Sequence, residues 1–322
     1  MASLFSNSSW SVSSIPNLAS KVFLVTGGTA GIGFGITANL LAHNAERVYM
    51  LSEQPQHGHL AKEELAKYGD ASKVEYINCD LRDLKQVEKT AKDLRDKLSR
   101  LDALVCNAGI GVGKYGVSKD GIDTHFQINH LAQMHLILQL LPLIEKTAEE
   151  HEDARIVVQS SSLHSMAPSS TKFETLDEIN KDIGPSYLYN RSKLAQILFI
   201  REFVQRLKDR KLGTSGGKNI FANATHPGAV NTTQPDQGEE AYGLLGKVIG
   251  STVRPFMKDP IKEGCLSSLF AATSPDIKKE GITGQYITPP SKVTEPSKQA
   301  QSQELIDNLW ALSEKLLKEK LA

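Results

Sequence analysis

The chain has 322 residues with 37 basic and 37 acidic side chains, so its formal net charge is zero. A neutral chain lacks the basic surface that attracts nucleic acids and acidic membranes, and neither partner is expected. Its three cysteines have no metal or disulfide spacing, which is typical of a reducing compartment. Residues 1–20 lack the basic and apolar regions of a signal peptide, and no apolar stretch is long enough to span a bilayer. The composition therefore predicts a cytoplasmic chain without an integral membrane segment.

Residues 1–20 are rich in serine and asparagine and are interpreted as an extension that is mobile or packs loosely. The pattern of the remaining residues, 21–322, is continuous and predicts a single domain. His125, His130 and His135 are five residues apart, a spacing that does not place all three on one helical face. No metal site is expected.

The segment from Lys21 to Gly35, KVFLVTGGTAGIGFG, begins with a short apolar run that suits a strand buried on both faces. It continues into a turn containing Gly27, Gly31 and Gly33, and then into a helical pattern. Glycines let a backbone approach a pyrophosphate closely, and the N-terminus of a helix offers free N–H groups to an anion. A plain strand-to-helix connection is the alternative, but the pattern predicts a nucleotide-phosphate site.

Apolar strands alternate with amphipathic helices along the rest of the chain. Further strands are predicted at Arg47–Leu51, Val74–Cys79, Leu101–Cys106, Arg155–Gln159, Ile220–Ala224 and Gly284–Ile287, and helices at Leu60–Tyr68, Leu84–Leu98, Phe126–Ile144, 189–207 and Glu263–Ala272. A final amphipathic helix is predicted at 303–321. This alternation predicts an α/β fold: one doubly wound Rossmann domain with a parallel sheet of about seven strands.

Tyr189 and Lys193 are four residues apart in a predicted helix, so their side chains lie one above the other. A free tyrosine has a pKa near 10, and a nearby cation favours the phenolate. Such a pair is also common on exposed helices. As a functional pair it makes a proton donor or acceptor.

Five motifs occur in series: Thr26–Gly33, Asn107-Ala108-Gly109, Ser160-Ser161-Ser162, Tyr189-x-x-x-Lys193 and the segment from Pro227 to Thr232. Together they resemble the short-chain dehydrogenase/reductase family over residues 21 to about 315. The separation of 28 residues between Ser161 and Tyr189 resembles the retinol-dehydrogenase-like branch and many fungal enzymes. The resemblance implies an NAD(P)-dependent oxidoreductase acting on an alcohol or a carbonyl group.

The resemblance also implies catalytic roles. Ser161 is expected to hydrogen-bond the substrate oxygen, with Ser160 and Ser162 as alternatives. Tyr189 is expected to transfer the proton, with Lys193 tuning it, and Asn129 to hold a water in a proton relay. His164 is expected to line the substrate pocket.

The implied cofactor-binding residues follow the strand ends. Gly27, Thr29, Gly31, Ile32 and Gly33 are expected at the phosphates; Ser52, Glu53, Asp80 and Leu81 at the adenosine; Asn107, Ala108 and Gly109 along the cofactor; Tyr189 and Lys193 at the nicotinamide ribose; and Pro227, Gly228, Val230 and Thr232 around the nicotinamide. For Asp80, an N-cap of the following helix is the alternative.

The choice between the two nicotinamide cofactors depends on the end of the second strand. Ser52 leaves room for a 2′-phosphate, whereas the carboxylate of Glu53 opposes one. Positive charge is expected from His57, His59 or Lys62. The pattern favours NADP(H) and leaves NAD(H) open.

Residues 234–260 are interpreted either as ordinary packing or as a lid over an apolar substrate, with Phe256 as a substrate contact. The lid and the long segment 162–188 favour a bulky hydrophobic substrate, and the motifs resemble fungal enzymes in which secondary metabolism is common. An NADPH-dependent reductase is favoured. An NAD-dependent alcohol dehydrogenase, a non-redox dehydratase or isomerase, and a cofactor-binding regulator are the alternatives. A homo-oligomer is compatible with the family resemblance.

Overall fold

The computed structural model describes residues 10–230 and 259–322. Within them, eight strands form one sheet in the order β3-β2-β1-β4-β5-β6-β7-β8. The strands are β1 (Val22–Thr26), β2 (Arg47–Ser52), β3 (Val74–Asn78), β4 (Ala103–Cys106), β5 (Ala154–Gln159), β6 (Ile220–Thr225), β7 (Tyr286–Thr288) and β8 (Lys292–Thr294). All neighbours from β1 to β7 pair in parallel, and β8 pairs antiparallel with β7. The predicted doubly wound parallel sheet is confirmed, and β8 is an edge strand that the prediction omitted.

The helices lie on both faces of this sheet. In chain order among the described residues they are α1 (Gly31–Ala42), α2 (Pro55–Leu65), α3 (Leu84–Lys97), α4 (Thr124–Phe126, a π-helical turn at Gln127–Leu131, and Ala132–Glu150), α5 (Leu176–Ile179), α6 (Pro185–Lys208), α7 (Leu266–Thr273), α8 (Pro275–Lys279) and α9 (Gln303–Leu321). None of them is both long and apolar enough to cross a membrane.

The strands are apolar on both faces because each face carries its own hydrophobic core. Leu24 and Leu104 contribute to the core under α3, α4, α6 and α9, whereas Phe23 and Val105 contribute to the core under α1 and α7. All residues of β1 and β5 are buried. This burial explains why the strands appear as continuous apolar runs.

The N-terminal segment differs from its prediction. Residues 10–18 are not a loose extension: Trp10 and Leu18 are buried in the core on the α1 side. The ring of Trp10 meets that of Phe270 edge-on at 5.5 Å between centroids. Apolar side chains spaced through a polar segment are enough to anchor it, and the serine and asparagine content concealed them.

The C-terminal helix α9 follows its predicted bounds and packs on α6. The indole of Trp310 stacks on Phe199 at 5.9 Å, and the guanidinium of Arg206 lies 4.3 Å from the indole centroid. Ser313 of α9 is 2.9 Å from Nε2 of His130 in α4. The helix therefore covers part of the α4–α6 surface of the domain.

Candidate active site

The glycine-rich turn after β1 forms a close backbone cradle. Gly27 and Gly31 have φ of +66° and +53°, in the left-handed region that favours glycine. A Cβ built on Gly33 would lie 2.1 Å from the carbonyl oxygen of Gly27. Helix α1 begins at Gly31, and Ala30 before it provides no side-chain cap. Its first N–H groups are thus available to an anion, which fits a pyrophosphate.

A cavity of about 380 Å³ opens above this cradle at the carboxyl ends of the strands. Ligands bind at this edge in open parallel sheets, where the strand order reverses between β1 and β4. The sequence-predicted residues that line the cavity are Gly27, Thr29, Gly31, Ile32, Ser52, Glu53, Asp80, Leu81, Asn107, Ala108 and Gly109. Gly33 lies just behind them. The structure brings this predicted set together in one site that fits a dinucleotide.

A chain of side-chain hydrogen bonds supports the floor of the cavity. Asn107 donates through Nδ2 to the carbonyl of Thr26 at 3.0 Å, and its Oδ1 accepts from Nε2 of Gln159 at 2.8 Å. The Oε1 atom of Gln159 accepts from the hydroxyl of Ser268 at 3.0 Å. The role of Gln159 was missed, because its position at the end of a predicted strand was the one signal in the sequence.

The adenosine end of the cavity contains an unpredicted cation. Arg82 pairs with the carboxylate of Glu53, and its Nε donates to Asp80 at 3.0 Å. Of the three side chains suggested from sequence as a source of positive charge, His57 lines the cavity. The N-cap of α3 is Asp83, whose carboxylate accepts from the N–H of Gln86 at 3.2 Å. The N-cap alternative for Asp80 is therefore wrong, and Asp80 remains a cavity residue.

Tyr189 and Ser161 meet at the other end of the site, where β5 leads into the chain before α6. Both side chains are buried, and the hydroxyl of Ser161 hydrogen-bonds the phenol of Tyr189. Burial raises the pKa of Tyr189 to about 12, although the bond from Ser161 acts in the opposite direction. This direction differs from the lowering expected from Lys193, because loss of hydration outweighs the other contributions.

Lys193 is buried one helical turn after Tyr189. Its Nζ lies 5.5 Å from the centre of the Tyr189 ring and donates to the carbonyl of Gln159 at 2.8 Å. Burial lowers the pKa of Lys193 to about 7. The ammonium is thus poised to exchange a proton near neutral pH, and the exposed-pair alternative for the motif is wrong.

The serines neighbouring Ser161 have other surroundings. Ser160 is buried and donates to the carbonyl of Lys193 at 2.8 Å, which fixes β5 to α6. Ser162 is exposed, and its N–H donates to Nδ1 of His226 at 3.2 Å. Ser161 is thus the serine of this run that contacts Tyr189.

His164 lies behind Ser161 with both ring nitrogens bonded. Its Nδ1 donates to the carbonyl of Ser161 at 2.7 Å, and its Nε2 accepts from the N–H of Ser297 at 3.0 Å. Burial lowers its pKa, which favours this neutral tautomer. The imidazole therefore links the turn that begins at Ser161 to the segment that precedes α9.

Asn129 lies in the π-helical turn of α4. Its Oδ1 accepts from the N–H of Ile110 at 2.9 Å, and its Nδ2 donates to the hydroxyl of Ser192 at 2.8 Å. The side chain therefore connects the loop after β4 to the helix that carries Tyr189.

Of the remaining predicted site residues, some are described and others lie outside the described ranges. Pro227, Gly228 and Val230 follow β6, and Gly228 has a φ of +85°. A Cβ on Gly264 would lie 2.6 Å from the side chain of Val230. Thr232, Phe256 and nearly all of the predicted lid, 234–260, fall outside the described residues.

Arg191 attaches the long segment before α6 to that helix. Its side chain is buried and donates to the carbonyls of Glu178 and Ile179 at 2.8 and 2.6 Å. It also lies 3.9 Å from the buried carboxylate of Asp123. The arginine inside the Tyr-x-x-x-Lys motif was missed, since sequence alone does not distinguish a buried arginine from an exposed one.

Substituting Gly33 with alanine is expected to weaken dinucleotide binding by at least about tenfold and to destabilise the fold by roughly 1–3 kcal/mol. The added methyl group would overlap the Gly27 carbonyl and force the cradle apart. Fluorescence titration with NADPH and thermal unfolding measure the two effects. Gly281→Ala is the control for a glycine with open space, although its φ of +66° carries its own cost in stability. Parental NADPH affinity in Gly33→Ala would contradict the assignment of the cradle.

Comparison with known proteins identifies relatives of the chain. The family model for short chain dehydrogenases matches residues 21–172. A Neurospora crassa protein described as a mitochondrial oxidoreductase, bli-4, is 40% identical over 97% of this chain and 75% of its own length. The short-chain dehydrogenase/reductase drtF of Aspergillus calidoustus is 31% identical over 95% and 96% of the two chains.

Solved structures agree with this relationship. RhlG of Pseudomonas aeruginosa, in an active-site complex with NADP, superposes with a TM-score of 0.63 at 25% identity. The match covers 85% of this chain and 96% of the RhlG chain. With a dinucleotide cradle after β1, a buried serine after β5 and a buried tyrosine and lysine on α6, the chain belongs to the short-chain dehydrogenase/reductase family and is an NAD(P)-dependent oxidoreductase.

Proposed function

We propose that this protein is an NADPH-dependent reductase of a ketone or aldehyde on a bulky hydrophobic molecule. The observation that carries the proposal is the buried phenol of Tyr189, which is hydrogen-bonded to Ser161 and adjacent to Lys193. In this proposal Ser161, Tyr189 and Lys193 are catalytic residues, and Asn129 holds the water of the proton relay.

The proposed mechanism assigns each group a step. When bound, NADPH would supply a hydride to the carbonyl carbon. The hydroxyl of Ser161 donates to the carbonyl oxygen and polarises it, and Tyr189 passes its proton to that oxygen as negative charge develops. The phenol of Tyr189, whose pKa burial raises to about 12, is protonated at neutral pH and therefore holds the proton that reduction requires. Lys193, whose pKa of about 7 allows proton exchange, would replace that proton and would hydrogen-bond the ribose hydroxyls of a bound cofactor.

The preference for NADP(H) is supported by Arg82. A guanidinium suits a phosphate, and this one lines the adenosine end of the cavity beside Ser52. Its pairing with Glu53 partly neutralises the carboxylate that would otherwise repel a 2′-phosphate. An NADP complex in the related RhlG structure agrees with this choice.

Arg82→Gln is expected to weaken NADPH binding by roughly tenfold to a hundredfold and to change NADH binding by about twofold or less, because only NADPH carries the 2′-phosphate. The matched control is Lys85→Gln, an exposed cation in the next turn that does not line the cavity. Fluorescence titrations of both variants with each cofactor make the comparison. An equal loss for NADPH and NADH would contradict the role of Arg82.

One observation favours a second candidate, an NAD-dependent alcohol dehydrogenase. The carboxylate of Glu53 lines the same cavity and is able to accept from a ribose 2′-hydroxyl. A Glu53→Gln variant distinguishes the two candidate functions. If the protein is the proposed reductase, the variant should bind NADPH more tightly. If it is the dehydrogenase, the variant should bind NADH more weakly.

The bulky apolar substrate is supported by exposed apolar side chains beside the catalytic segments. Met166 ends the turn that follows Ser161 and is 59% exposed, and Tyr187, two residues before Tyr189, is 51% exposed. The carbonyl of Met166 accepts from Asn190, so this turn lies next to the start of α6. Fungal relatives such as drtF support a fungal secondary metabolite as the substrate.

A panel of bulky ketones with NADPH, and of the matching alcohols with NADP⁺ or NAD⁺, tests the function through absorbance of the reduced cofactor. Carbonyl reduction with NADPH is expected. Conversion without a net change in cofactor would instead indicate a dehydratase or isomerase.

We retain the cytoplasm as the proposed compartment. The description of bli-4 as mitochondrial makes the mitochondrion the competing location. Microscopy of the tagged full-length protein distinguishes them.

A further inference from the structure

His164 is held in one neutral tautomer by two main-chain groups of opposite kind. The carbonyl of Ser161, 2.7 Å from Nδ1, only accepts, so Nδ1 must carry the hydrogen. The N–H of Ser297, 3.0 Å from Nε2, only donates, so Nε2 must carry none. The imidazole is 4% exposed, and the ring of Tyr286 meets it edge-on at 5.0 Å between centroids. The ring therefore has little freedom to turn or to change its tautomer.

The bond from His164 closes the turn that orients the Ser161 hydroxyl. The Ser161 carbonyl accepts from both the main-chain N–H and the Nδ1 of His164, at 3.2 and 2.7 Å. Within this turn the N–H of Leu163 donates to Oγ of Ser161 at 3.2 Å. Because that bond uses a lone pair of Oγ, the hydroxyl hydrogen is directed away from the turn, to the side of Tyr189. The direction in which Ser161 can donate thus depends on the shape of the turn.

Two contacts join the segment before α9, residues 296–302, to the loop that follows Ser161. One is the bond from Ser297 to His164. In the other, Nε2 of Gln299 donates to the carbonyl of Pro168 at 3.0 Å. Both contacts attach the same segment to the same loop, but of the two it is the bond through His164 that continues to the Ser161 carbonyl. Gln299→Leu therefore weakens this attachment without removing a bond to Ser161, which makes it a matched control.

We propose that His164 is a positioning residue for the reaction, because its imidazole connects the segment before α9 to Ser161 and keeps the Ser161 hydroxyl directed at the substrate oxygen. This inference rests on the proposed role of Ser161 as the donor to that oxygen. His164 exchanges no proton in this role. The Nδ1 bond to Ser161 carries the effect on the rate, and the Nε2 bond to Ser297 holds the ring in the tautomer that makes the first bond possible.

Two substitutions separate the two bonds of the imidazole. His164→Asn places an amide nitrogen near the position of Nδ1, where it can still donate to Ser161. His164→Gln places an amide oxygen near the position of Nε2, where it can still accept from Ser297. Each variant keeps one bond and loses the other, so thermal unfolding should show similar losses of stability in the two proteins.

The rate of reduction of the probe 9,10-phenanthrenequinone by NADPH is expected to distinguish these variants. His164→Asn and the control Gln299→Leu should keep kcat within about threefold of the parent, whereas His164→Gln should lose about tenfold or more, the effect of one lost hydrogen bond to Ser161. The affinity for NADPH should stay within about twofold in all three, since a positioning role at Ser161 acts on the substrate side. A loss of kcat in His164→Asn equal to or larger than that in His164→Gln would overturn the inference.

The tautomer of His164 is a second readout, and it requires no turnover. In the ¹⁵N-labelled parent protein at about pH 7, two-bond ¹H–¹⁵N correlation spectra are expected to show an imidazole with its hydrogen on Nδ1, assigned by its absence from the spectrum of His164→Asn. A hydrogen on Nε2, or on both nitrogens, would contradict the inference even if a variant failed to fold. If the parent oxidised no NADPH with any ketone of the panel, the proposed function would fail, while the spectra would still decide how His164 is held.

Discussion

Replacing Tyr189 with phenylalanine is expected to lower kcat for carbonyl reduction by about 10²- to 10⁴-fold, the usual contribution of a positioned general acid. The affinity for NADPH should stay within about twofold, because the ring and its packing are retained and only the hydroxyl beside Ser161 is lost. Steady-state rates and fluorescence titrations of the same preparation measure both quantities.

Tyr187→Phe is the matched control. This tyrosine lies two residues earlier in the same helix and is 51% exposed. Phenylalanine keeps its apolar ring for contact with a substrate, so the same chemical change there should leave kcat near the parental value. If Tyr189→Phe retained parental rates, the proton would come from another group. If the parent and Tyr189→Phe both bound NADPH and neither showed any turnover, the regulatory alternative would be favoured.

Replacing Lys193 with methionine is expected to abolish activity and yet to stabilise the protein at neutral pH. The pKa of Lys193 falls from 10.5 to about 7 on folding because the ammonium is buried. That difference corresponds to roughly 5 kcal/mol of cost in the parent, from which about 1–2 kcal/mol is subtracted for the lost bond to Gln159. A net gain of roughly 3–4 kcal/mol in the free energy of unfolding follows.

The sign of the pH dependence is fixed by the direction of this shift. Above the unfolded-state pKa of 10.5 the amine is neutral in both states and burial costs nothing. As the pH falls toward the folded-state value of about 7, the unfolded chain takes up a proton that the folded protein does not, and the parent loses stability. The advantage of Lys193→Met should therefore be largest at about pH 6 and should vanish by about pH 10.

Urea unfolding at these two pH values measures the difference. The exposed Lys208, at the end of the same helix, provides the control Lys208→Met, for which little change with pH is expected. A Lys193→Met variant that is less stable than the parent at about pH 6 would show that the buried ammonium is well compensated.

The fold was predictable because each element carries its own local signal. The run from Val22 to Val25 is apolar on both faces because helices cover both sides of β1, and the glycines after it occur where the backbone must turn tightly. The C-terminal helix was predicted with correct bounds because its apolar spacing is regular. Strand β8 was missed because three residues, Lys292–Thr294, carry no period that distinguishes them from a loop.

The candidate site was predictable where a motif names the residue, and unpredictable where a contact across the fold gives the residue its role. Tyr189 and Lys193 are indicated by their spacing together with the motifs that precede and follow them. Arg82 is next to the predicted Asp80-Leu81 pair, yet only the neighbouring strand end brings it to Glu53.

The pKa values of the site residues were the property that the sequence predicted least well. Spacing suggested that Lys193 would lower the pKa of Tyr189, whereas burial raises it to about 12. The extent of burial depends on how α6 packs against β5 and the turn after Ser161, and no local pattern encodes that packing.

The most direct test of the account is a titration of the purified protein with NADPH and with NADH, followed by cofactor fluorescence. The account predicts saturable binding of NADPH at micromolar concentrations and binding of NADH at least about tenfold weaker, as expected for one charge-assisted contact with Arg82. Binding of neither cofactor would contradict the assignment of the cavity above Gly27, Gly31 and Gly33.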